Sequence, residues 1–187
     1  MKIKIRGLRT QDLPLYDAHF ARHRAESGRG DYHFMPFEPD DPNGPRGIDR
    51  TSIELPLTEL GWQRWWVAWA QVDQKADDQQ EDGQKIVGHL DLKGGQLVTN
   101  LHRCVLGIGI ERAYRGQGLG KRLMLEALAF TRAASTLSWL DLNVFAHNAN
   151  ARSLYSSLGF VEIGLLKDQF RIEGESFDDV MMTLPID

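Results

Sequence analysis

Three glycines at alternate positions lead directly into a helix-forming stretch, and this junction constrains the fold more than any other feature of the chain. Gly116, Gly118 and Gly120 lie in the segment YRGQGLGKRLM, residues 114–124. The apolar residues that follow recur every three or four positions, a spacing typical of an amphipathic helix packed on a sheet: Leu119, Leu123, Ala127, Phe130 and Ala134. The sequence therefore predicts a bare turn at the start of a helix.

A turn of this kind suits a bound phosphate. The first amides of a helix have no intrahelical acceptor and lie at the positive end of the helix dipole, and glycines let an anion approach them. The dipole alone contributes only about 0.3–1 kcal/mol, so basic neighbours are needed as well. Arg115, Lys121 and Arg122 are available. An ordinary glycine turn without a ligand is the alternative interpretation.

Two better-known phosphate motifs fit poorly. A P-loop requires Ser or Thr after its lysine to hold magnesium, whereas Arg122 follows Lys121 here, and the glycine spacing also differs. A dinucleotide fingerprint starting at Gly116 would place its third glycine at Lys121, and the preceding strands lack the βαβ order, although Asp141 lies near the expected distance. The sequence thus disfavours a nucleotide triphosphatase and a dinucleotide enzyme.

Composition limits the remaining classes. The chain has 187 residues, of which 42% are hydrophobic, and we expect a single domain over 1–187. A net charge of -4 argues against a nucleic-acid partner. Cys104 is the only cysteine and no zinc-type spacing is present, so no metal is expected. Without a signal-like start or an apolar run long enough to cross a bilayer, no membrane partner and a cytoplasmic location are expected.

The order of patterns predicts a mixed α/β fold, with one largely antiparallel central sheet flanked by helices. Residues 27–50 contain four prolines and form a long loop, a possible acceptor-site lid, because its segment YHFMPF is too apolar for a free linker. Four tryptophans between residues 62 and 69 are expected in the core. Gly107 and Gly109 lie within a predicted strand, where they indicate a bulge or the close approach of another backbone or a ligand.

Three segments, taken together and in order, resemble the GNAT superfamily of acyl-CoA-dependent N-acyltransferases. They are IGI at 108–110, RGQGLG at 115–120 and NANARSLYSSLGF at 148–160. The resemblance implies a GNAT-type fold in which a bulged strand leads into the pyrophosphate-binding helix. It also implies direct transfer of an acetyl group from acetyl-CoA to a primary amine of a small molecule or a peptide N-terminus. Because members of this family often form dimers, a homodimer is possible.

The same resemblance implies roles for individual residues. The amides of Gln117, Gly118, Gly120 and Lys121 would hold the pyrophosphate, residues 108–110 would align pantetheine, and Asn148 would bond it. The full set implied to bind the cosubstrate is Ile108, Gly109, Ile110, Arg115, Gly116, Gln117, Gly118, Leu119, Gly120, Lys121, Asn148 and Tyr155. Tyr155 would also protonate the departing thiolate.

The general base is the open part of the sequence interpretation. Some family members carry a glutamate at the position that Cys104 occupies here, so this chain has no carboxylate at that position. We therefore expect the base to be His89 or Asp91, which are two residues apart and face the same side of a strand. Glu111 is a further candidate, although its place after the strand suggests surface. An acyl-cysteine at Cys104 is disfavoured because burial makes a thiol inert. A catalytically silent acyl-CoA sensor is the alternative function.

Overall fold

The structure is a computed structural model that describes residues 3–29, 32–38, 41, 48, 51–71 and 83–186. Its strands and helices follow the order predicted from the sequence. They are β1 (Ile3–Gly7), α1 (Leu13–Ala25), β2 (Gln63–Gln71), β3 (Gln84–Gly94), β4 (Arg103–Ile110), α2 (Leu119–Ala133), β5 (Trp139–Phe145), α3 (Ala149–Ser157), β6 (Val161–Ile172) and β7 (Glu175–Pro185). Four short 3-10 turns link some of them within the described ranges. The predicted mixed α/β class is confirmed.

The seven strands form one sheet in the order β1-β2-β3-β4-β5-β7-β6. Every neighbouring pair is antiparallel except β4 and β5, which run parallel. A parallel pair needs a long crossover connection, and α2 supplies it between these two strands. The predicted, largely antiparallel sheet is therefore confirmed, with its single parallel pair at the centre.

The central strands separate after four residues of pairing. Residues 103–106 of β4 pair with residues 139–142 of β5, and no pairing continues beyond Leu106 and Leu142. Residues 107–110 and 143–145 still belong to their strands, but they face a shared cavity instead of each other. The sheet thus opens in its middle and leaves main-chain groups of β4 without strand partners on that side.

The sequence left a bulge and a close approach open at Gly107 and Gly109. The pairing of β4 with β3 contains no bulge, because their register runs without a shift from Gly88↔Ile110 to Gly94↔Cys104. The glycines are required by close approach instead. A Cβ on Gly107 would lie 2.6 Å from Asp91 Oδ1, and one on Gly109 would lie 2.5 Å from His23 Nε2. Polar side chains from β3 and α1 therefore lie directly over this strand.

Helices cover both faces of the sheet. On one face, α1 packs over Trp65, Val67 and Trp69 of β2. On the opposite face, α2 buries its apolar stripe against β3 and β4. The core role predicted for the tryptophans is confirmed for Trp62, Trp65 and Trp69, which are buried. Trp66 is half-buried against Phe130 of α2, with ring centroids 5.3 Å apart.

Two loop segments lie largely outside the described residues. The polar stretch 73–84, whose composition is typical of an exposed hairpin loop, has only residues 83 and 84 described, and the predicted loop 27–50 is described at 27–29, 32–38, 41 and 48. Among the described residues, no helix is both long and apolar enough to cross a membrane. Nor do those residues bring three or more His, Cys, Asp or Glu side chains together as a metal site would require.

Candidate active site

A cavity of about 1000 Å³ occupies the gap where β4 and β5 separate. The structure brings to its walls the residues that the sequence selected for catalysis or cosubstrate binding, except Gln117 and the further candidate base Glu111. The side-chain amide of Gln117 donates to the carbonyl of Ala113 at 3.2 Å. The residues gathered there are His89, Asp91, Ile108, Gly109, Ile110, Arg115, Gly116, Gly118, Leu119, Gly120, Lys121, Asn148 and Tyr155. Their individual roles stay predictions.

Two different physical reasons explain why the turn contains three glycines. Gly116 and Gly118 adopt the left-handed conformation, with φ of 72° and 74°, and a Cβ on either would meet only open space. Gly120 lies in the first turn of α2, where a Cβ would approach Leu154 Cδ2 to 3.1 Å. The first two glycines shape an open backbone turn, and the third lets α2 and α3 pack closely.

Residues 118–121, at the start of α2, line the cavity. The first hydrogen bond of α2 runs from the Arg122 amide to the carbonyl of Gly118 at 3.2 Å, and no side chain caps the helix. In the described part of the chain, the amides of residues 117–121 donate to no backbone acceptor. These donors lie at the N-terminus of a 15-residue helix, where the dipole favours an anion.

The three basic residues near the turn differ in availability. The Arg115 guanidinium donates to the carbonyl of Ile110 at 2.8 Å and to Glu26 Oε2 at 3.1 Å. Arg122 donates to the carbonyl of Ile3 at 2.8 Å and does not line the cavity. Lys121 lines the cavity. Lys121 is therefore the cation best placed to neutralise a phosphate there, while Arg115 shapes the wall.

Asn148 is the N-cap residue of α3. Its Oδ1 accepts hydrogen bonds from the Ala151 amide and from the Tyr32 hydroxyl, both at 3.2 Å. The carboxamide oxygen is thus used inside the protein, which leaves the Nδ2 donor as the group that Asn148 can offer to a ligand.

Tyr155 lies in the second half of α3, lines the cavity and is buried. A tyrosine that protonates a thiolate benefits from a pKa lowered toward that of a thiol. The structure does the opposite, because burial and the nearby Tyr32 raise the pKa of the Tyr155 hydroxyl above its ordinary value of 10.0. At neutral pH this phenol is fully protonated and acts as a hydrogen-bond donor.

His89 and Asp91 lie on the same side of β3, as predicted, and both are buried at the cavity. Burial lowers the pKa of His89 well below 6.5, with the nearby His19, His23 and Lys93 adding to this effect. Burial raises the pKa of Asp91 above 3.8 despite Lys93 Nζ at 3.3 Å from its Oδ2. His89 is thus a neutral imidazole at pH 7, a form that can accept a proton.

Glu111 is not a surface residue, so that prediction is wrong. It follows β4 directly and is buried, with its Oε1 3.0 Å from Arg22 and 2.9 Å from His19 Nδ1. Lys85 Nζ lies 3.6 Å from the other oxygen. The neighbours of Glu111 come from α1 and β3, which local sequence patterns cannot place around it.

Cys104 is buried in the sheet below the cavity and does not line it. Burial, followed by the charge of Asp141, raises the pKa of the Cys104 thiol to about 12. A thiol of that kind is not ionised at neutral pH and is a poor nucleophile. The structure therefore supports the sequence-based argument against an acyl-cysteine.

Residues 32–38 cross the mouth of the cavity and contribute Tyr32, Phe34, Met35, Pro36 and Phe37 to its walls. Contacts with the β6–β7 turn hold them there. His33 Nε2 lies 3.1 Å from Glu173 Oε2, and Glu38 Oε1 accepts from the Glu173 amide at 3.0 Å. This described part of the predicted loop is packed on the body and also covers the cavity.

Aromatic rings and carboxylates together line the side of the cavity near α1 and β7. Tyr16, Phe20 and Trp65 lie at the α1 side, and Phe145 and Phe170 lie at the other. Asp91 and Asp179 add two carboxyl groups. Burial raises the pKa of Asp179, although Asn143 Nδ2 donates to it at 2.6 Å.

The sequence interpretation missed His19 and His23. The apolar residues Leu13, Tyr16 and Phe20 have helical spacing in the sequence, whereas the buried face of α1 consists of Leu13, Tyr16, His19 and His23. The signal was present, because these four positions recur every three or four residues, and histidines on such a stripe must find partners when buried.

Comparisons with known proteins agree with this geometry. The family model described as "Acetyltransferase (GNAT) family" matches residues 51–160, more than half of the chain. The N-alpha-acetyltransferase RimI of Mycobacterium tuberculosis is 39% identical over 67 residues, covering 36% of this chain and 40% of that protein. The chain thus aligns with less than half the length of this curated relative.

Two solved structures share the whole fold. A GNAT-family acetyltransferase from Streptococcus pneumoniae superposes with a TM-score of 0.77 at 24% identity, covering 99% of this chain and 100% of the other. The protein yncA from Salmonella typhimurium, solved with its cofactor acetyl-CoA, gives a TM-score of 0.73 at 15% identity, covering 100% and 95% of the two chains.

The structure defines a mixed α/β protein whose central sheet divides between β4 and β5, with a glycine turn at the opening. The chain belongs to the Acetyltransferase (GNAT) family.

Proposed function

We propose that this protein is an N-acetyltransferase that transfers the acetyl group of acetyl-CoA to a primary amine by direct attack. The observation that carries this proposal is the placement of the unpaired amides of residues 117–121 at the opening between β4 and β5. A diphosphate fits that turn, and an extended chain fits along the unpaired edge of β4.

The cavity suits the cosubstrate in chemistry as well as in shape. The amides of residues 117–121 and the Lys121 ammonium would hold the diphosphate, because both offer donors and positive charge to an anion. Main-chain groups of Ile108 and Ile110, which lack a β5 partner, would bond the amides of pantetheine as a neighbouring strand would. When bound, acetyl-CoA supplies an acyl group already activated as a thioester.

His89 is the residue we assign as general base. An amine of pKa near 10.4 is charged at pH 7, and exposing its lone pair costs about 4–5 kcal/mol. The neutral imidazole of His89 can accept that proton at the cavity wall. Asp91, whose pKa is raised by burial, sits beside it and attracts the ammonium form of the acceptor. His89 and Asp91 both face the α1 side of the sheet.

Tyr155 approaches from the α2 and α3 side of the sheet. Because its pKa is raised, transferring its proton outright to a thiolate of pKa near 8.5 is uphill. We assign it the role of a hydrogen-bond donor to the departing sulfur, which stabilises the developing charge without ionising the phenol.

The acceptor we propose is a cationic primary amine on an apolar body, either a small molecule or a peptide N-terminus. Aromatic walls match an apolar body, and Asp91 and Asp179 match an ammonium group. The name of the relative, an N-alpha-acetyltransferase, supports the inclusion of peptide N-termini. Residues 32–38 would act as the lid over this acceptor. A single domain over 1–187, a cytoplasmic location and a homodimer stay predictions.

A thiol-release assay tests the proposal. Acetyl-CoA is mixed with the full chain and with single members of a panel of aromatic amines, polyamines, amino acids, aminoglycosides and short peptides. We expect amine-dependent release of the coenzyme A thiol with at least one cationic member and none without an amine. Binding of acetyl-CoA without turnover on any amine would contradict the enzyme and favour the catalytically silent acyl-CoA sensor. No binding at millimolar acetyl-CoA would reject both.

A further inference from the structure

Three buried side chains from different parts of the chain form a continuous hydrogen-bonded row that ends at the cavity. His89 Nδ1 of β3 lies 2.9 Å from His19 Nε2 of α1. His19 Nδ1 lies 2.9 Å from Glu111 Oε1, at the residue that follows β4. The His19 side chain is fully buried, and Glu111 is 6% exposed. Polar groups this deeply buried rarely persist unless their bonding is complete.

The neighbours of Glu111, at the far end of the row, determine its charge. Burial acts to raise the pKa of Glu111, but hydrogen bonds from His19 and Arg22 outweigh it and hold that pKa below its ordinary value. Arg22 also donates to the carbonyl of Ile86 at 2.9 Å, which fixes the guanidinium beside the carboxylate. Glu111 is therefore ionised at neutral pH and can only accept hydrogen bonds.

An ionised Glu111 together with a neutral His19 dictates which nitrogen carries each imidazole proton. His19 Nδ1 must carry a hydrogen to donate to Oε1, so the Nε2 of a neutral His19 holds a lone pair. His89 Nδ1 must then donate to that lone pair. The remaining His89 nitrogen, Nε2, keeps its lone pair, the atom that a general base needs.

We propose that Glu111 and His19 form a relay that holds His89 as the Nδ1–H tautomer and accepts the positive charge formed when His89 takes a proton. His89 Nε2 takes a proton from the acceptor ammonium, whose freed lone pair attacks the acyl carbon. The carbon–sulfur bond of the thioester then breaks, and the departing thiolate takes the second proton of the amine and leaves as the free thiol of coenzyme A. His89 Nδ1 then passes its own proton to His19 Nε2. The charge thereby moves onto His19, directly beside the Glu111 carboxylate. His19 and Glu111 are positioning residues in this scheme, which rests on the proposed acetyl transfer.

Other titratable groups surround the row and affect the proton affinity of His89. On α1, Tyr16 and His23 pack against His89, with ring centroids 5.5 and 5.8 Å away. On β3, Asp91 and Lys93 follow His89 on the same face. These groups tune the proton affinity of His89, but the row of 2.9 Å contacts selects its tautomer.

Nitrogen-15 NMR of histidine-labelled full-length protein tests the relay directly, because ring nitrogen shifts distinguish the two tautomers. We expect His19 and His89 both as Nδ1–H at pH 7, with their signals assigned through His19→Gln and His89→Gln. An Nε2–H tautomer at His89 in the unmodified protein would overturn the relay. This NMR measurement requires no enzymatic turnover, and the only variants it requires are the two used to assign the signals.

Kinetics of Glu111→Gln provide the second test, with Asp141→Asn as the matched control. Asp141 is also a carboxylate bonded to an arginine, Arg103, but it does not line the cavity. We expect Glu111→Gln to lower kcat at least about tenfold while the Kd of acetyl-CoA changes less than about twofold. Loss of the carboxylate destabilises the imidazolium, so the acid-side inflection of the kcat profile should shift to lower pH.

Asp141→Asn should leave both the rate and the inflection unchanged. An unchanged kcat and inflection in folded Glu111→Gln would contradict the relay. If the tautomers are as expected but no amine is acetylated, the relay geometry stands and the proposed function fails instead.

Discussion

Single residues around the cavity have properties that a purely structural role would not select. Asp91 is buried with a raised pKa, and Gly107 opposite it has no side chain because one would collide with the carboxylate. Burying a carboxyl group in this way costs stability. A buried carboxyl group that lowers the stability of the fold indicates that its charge is used in function, and the loss of stability can be measured.

Asp91→Asn should stabilise the fold. The folded state holds the Asp91 proton more tightly than the unfolded chain does, so ionisation destabilises the fold at pH values above the raised pKa, and this penalty disappears as pH falls toward 3.8. Removing the charge should raise the free energy of unfolding at pH 7, and by less at pH 4.5.

Urea unfolding at both pH values checks this expectation, and kcat/KM for a cationic amine should fall in the same variant. A loss of stability at pH 7 would show instead that the ion pair with Lys93 outweighs the cost of burial.

Tyr155→Phe isolates the donor at the departing sulfur. The variant keeps the buried ring, and hence the packing, but removes the hydroxyl. We expect kcat to fall about tenfold, below the larger effects of full general acids because the raised pKa limits proton transfer. Thiol release gives kcat, and calorimetry should show the Kd of acetyl-CoA within about twofold of the original. An unaltered kcat would remove Tyr155 from the reaction.

At the scale of elements, the junction between β4 and α2 combines an unpaired strand edge with an uncapped helix start. The left-handed turn at Gly118 joins them, and it is the N-cap residue of α2. Gly61 offers a comparison, because its φ of 81° is similar, a Cβ on it also meets open space, and it lies outside the cavity.

Gly118→Ala and Gly61→Ala should therefore cost similar stability but differ in ligand binding. Each places an L-residue in the left-handed region, at roughly 1–2 kcal/mol. Only Gly118→Ala also puts a methyl group where the diphosphate would approach, and we expect at least about a tenfold weaker Kd for acetyl-CoA in that variant. Thermal unfolding and calorimetry measure the two effects. Equal affinities in both variants would place the anion elsewhere.

Local elements could be predicted from the sequence because their signals are local. The turn glycines, the Asn148 cap and the shared face of His89 and Asp91 follow from spacing over a few residues. The row through Glu111 could not be predicted, because His19 is 70 positions from His89 and 92 from Glu111. Only the packing of α1 across β3 brings them together. The choice between a bulge and a close approach at Gly109 could not be made from the sequence for the same reason, since the crowding at Gly109 comes from α1.

At the scale of the whole molecule, the opening in the sheet gives the cavity access to both faces. Tyr155 and the glycine turn belong to the α2 and α3 face, whereas His89 and Asp91 belong to the α1 face. The cosubstrate and the acceptor can thus meet between β4 and β5 from opposite sides. Residues 32–38 link α1 to the β6–β7 turn across the mouth of this passage.

The central claim is that the diphosphate of acetyl-CoA binds the amides at the start of α2. An amide NMR titration of the full chain with acetyl-CoA tests this claim most directly. The account predicts saturable shifts that are largest for the amides of residues 117–121, with smaller shifts at Ile108 and Ile110. Shifts concentrated outside residues 106–121 and 143–155, or no saturable shift at millimolar acetyl-CoA, would contradict it.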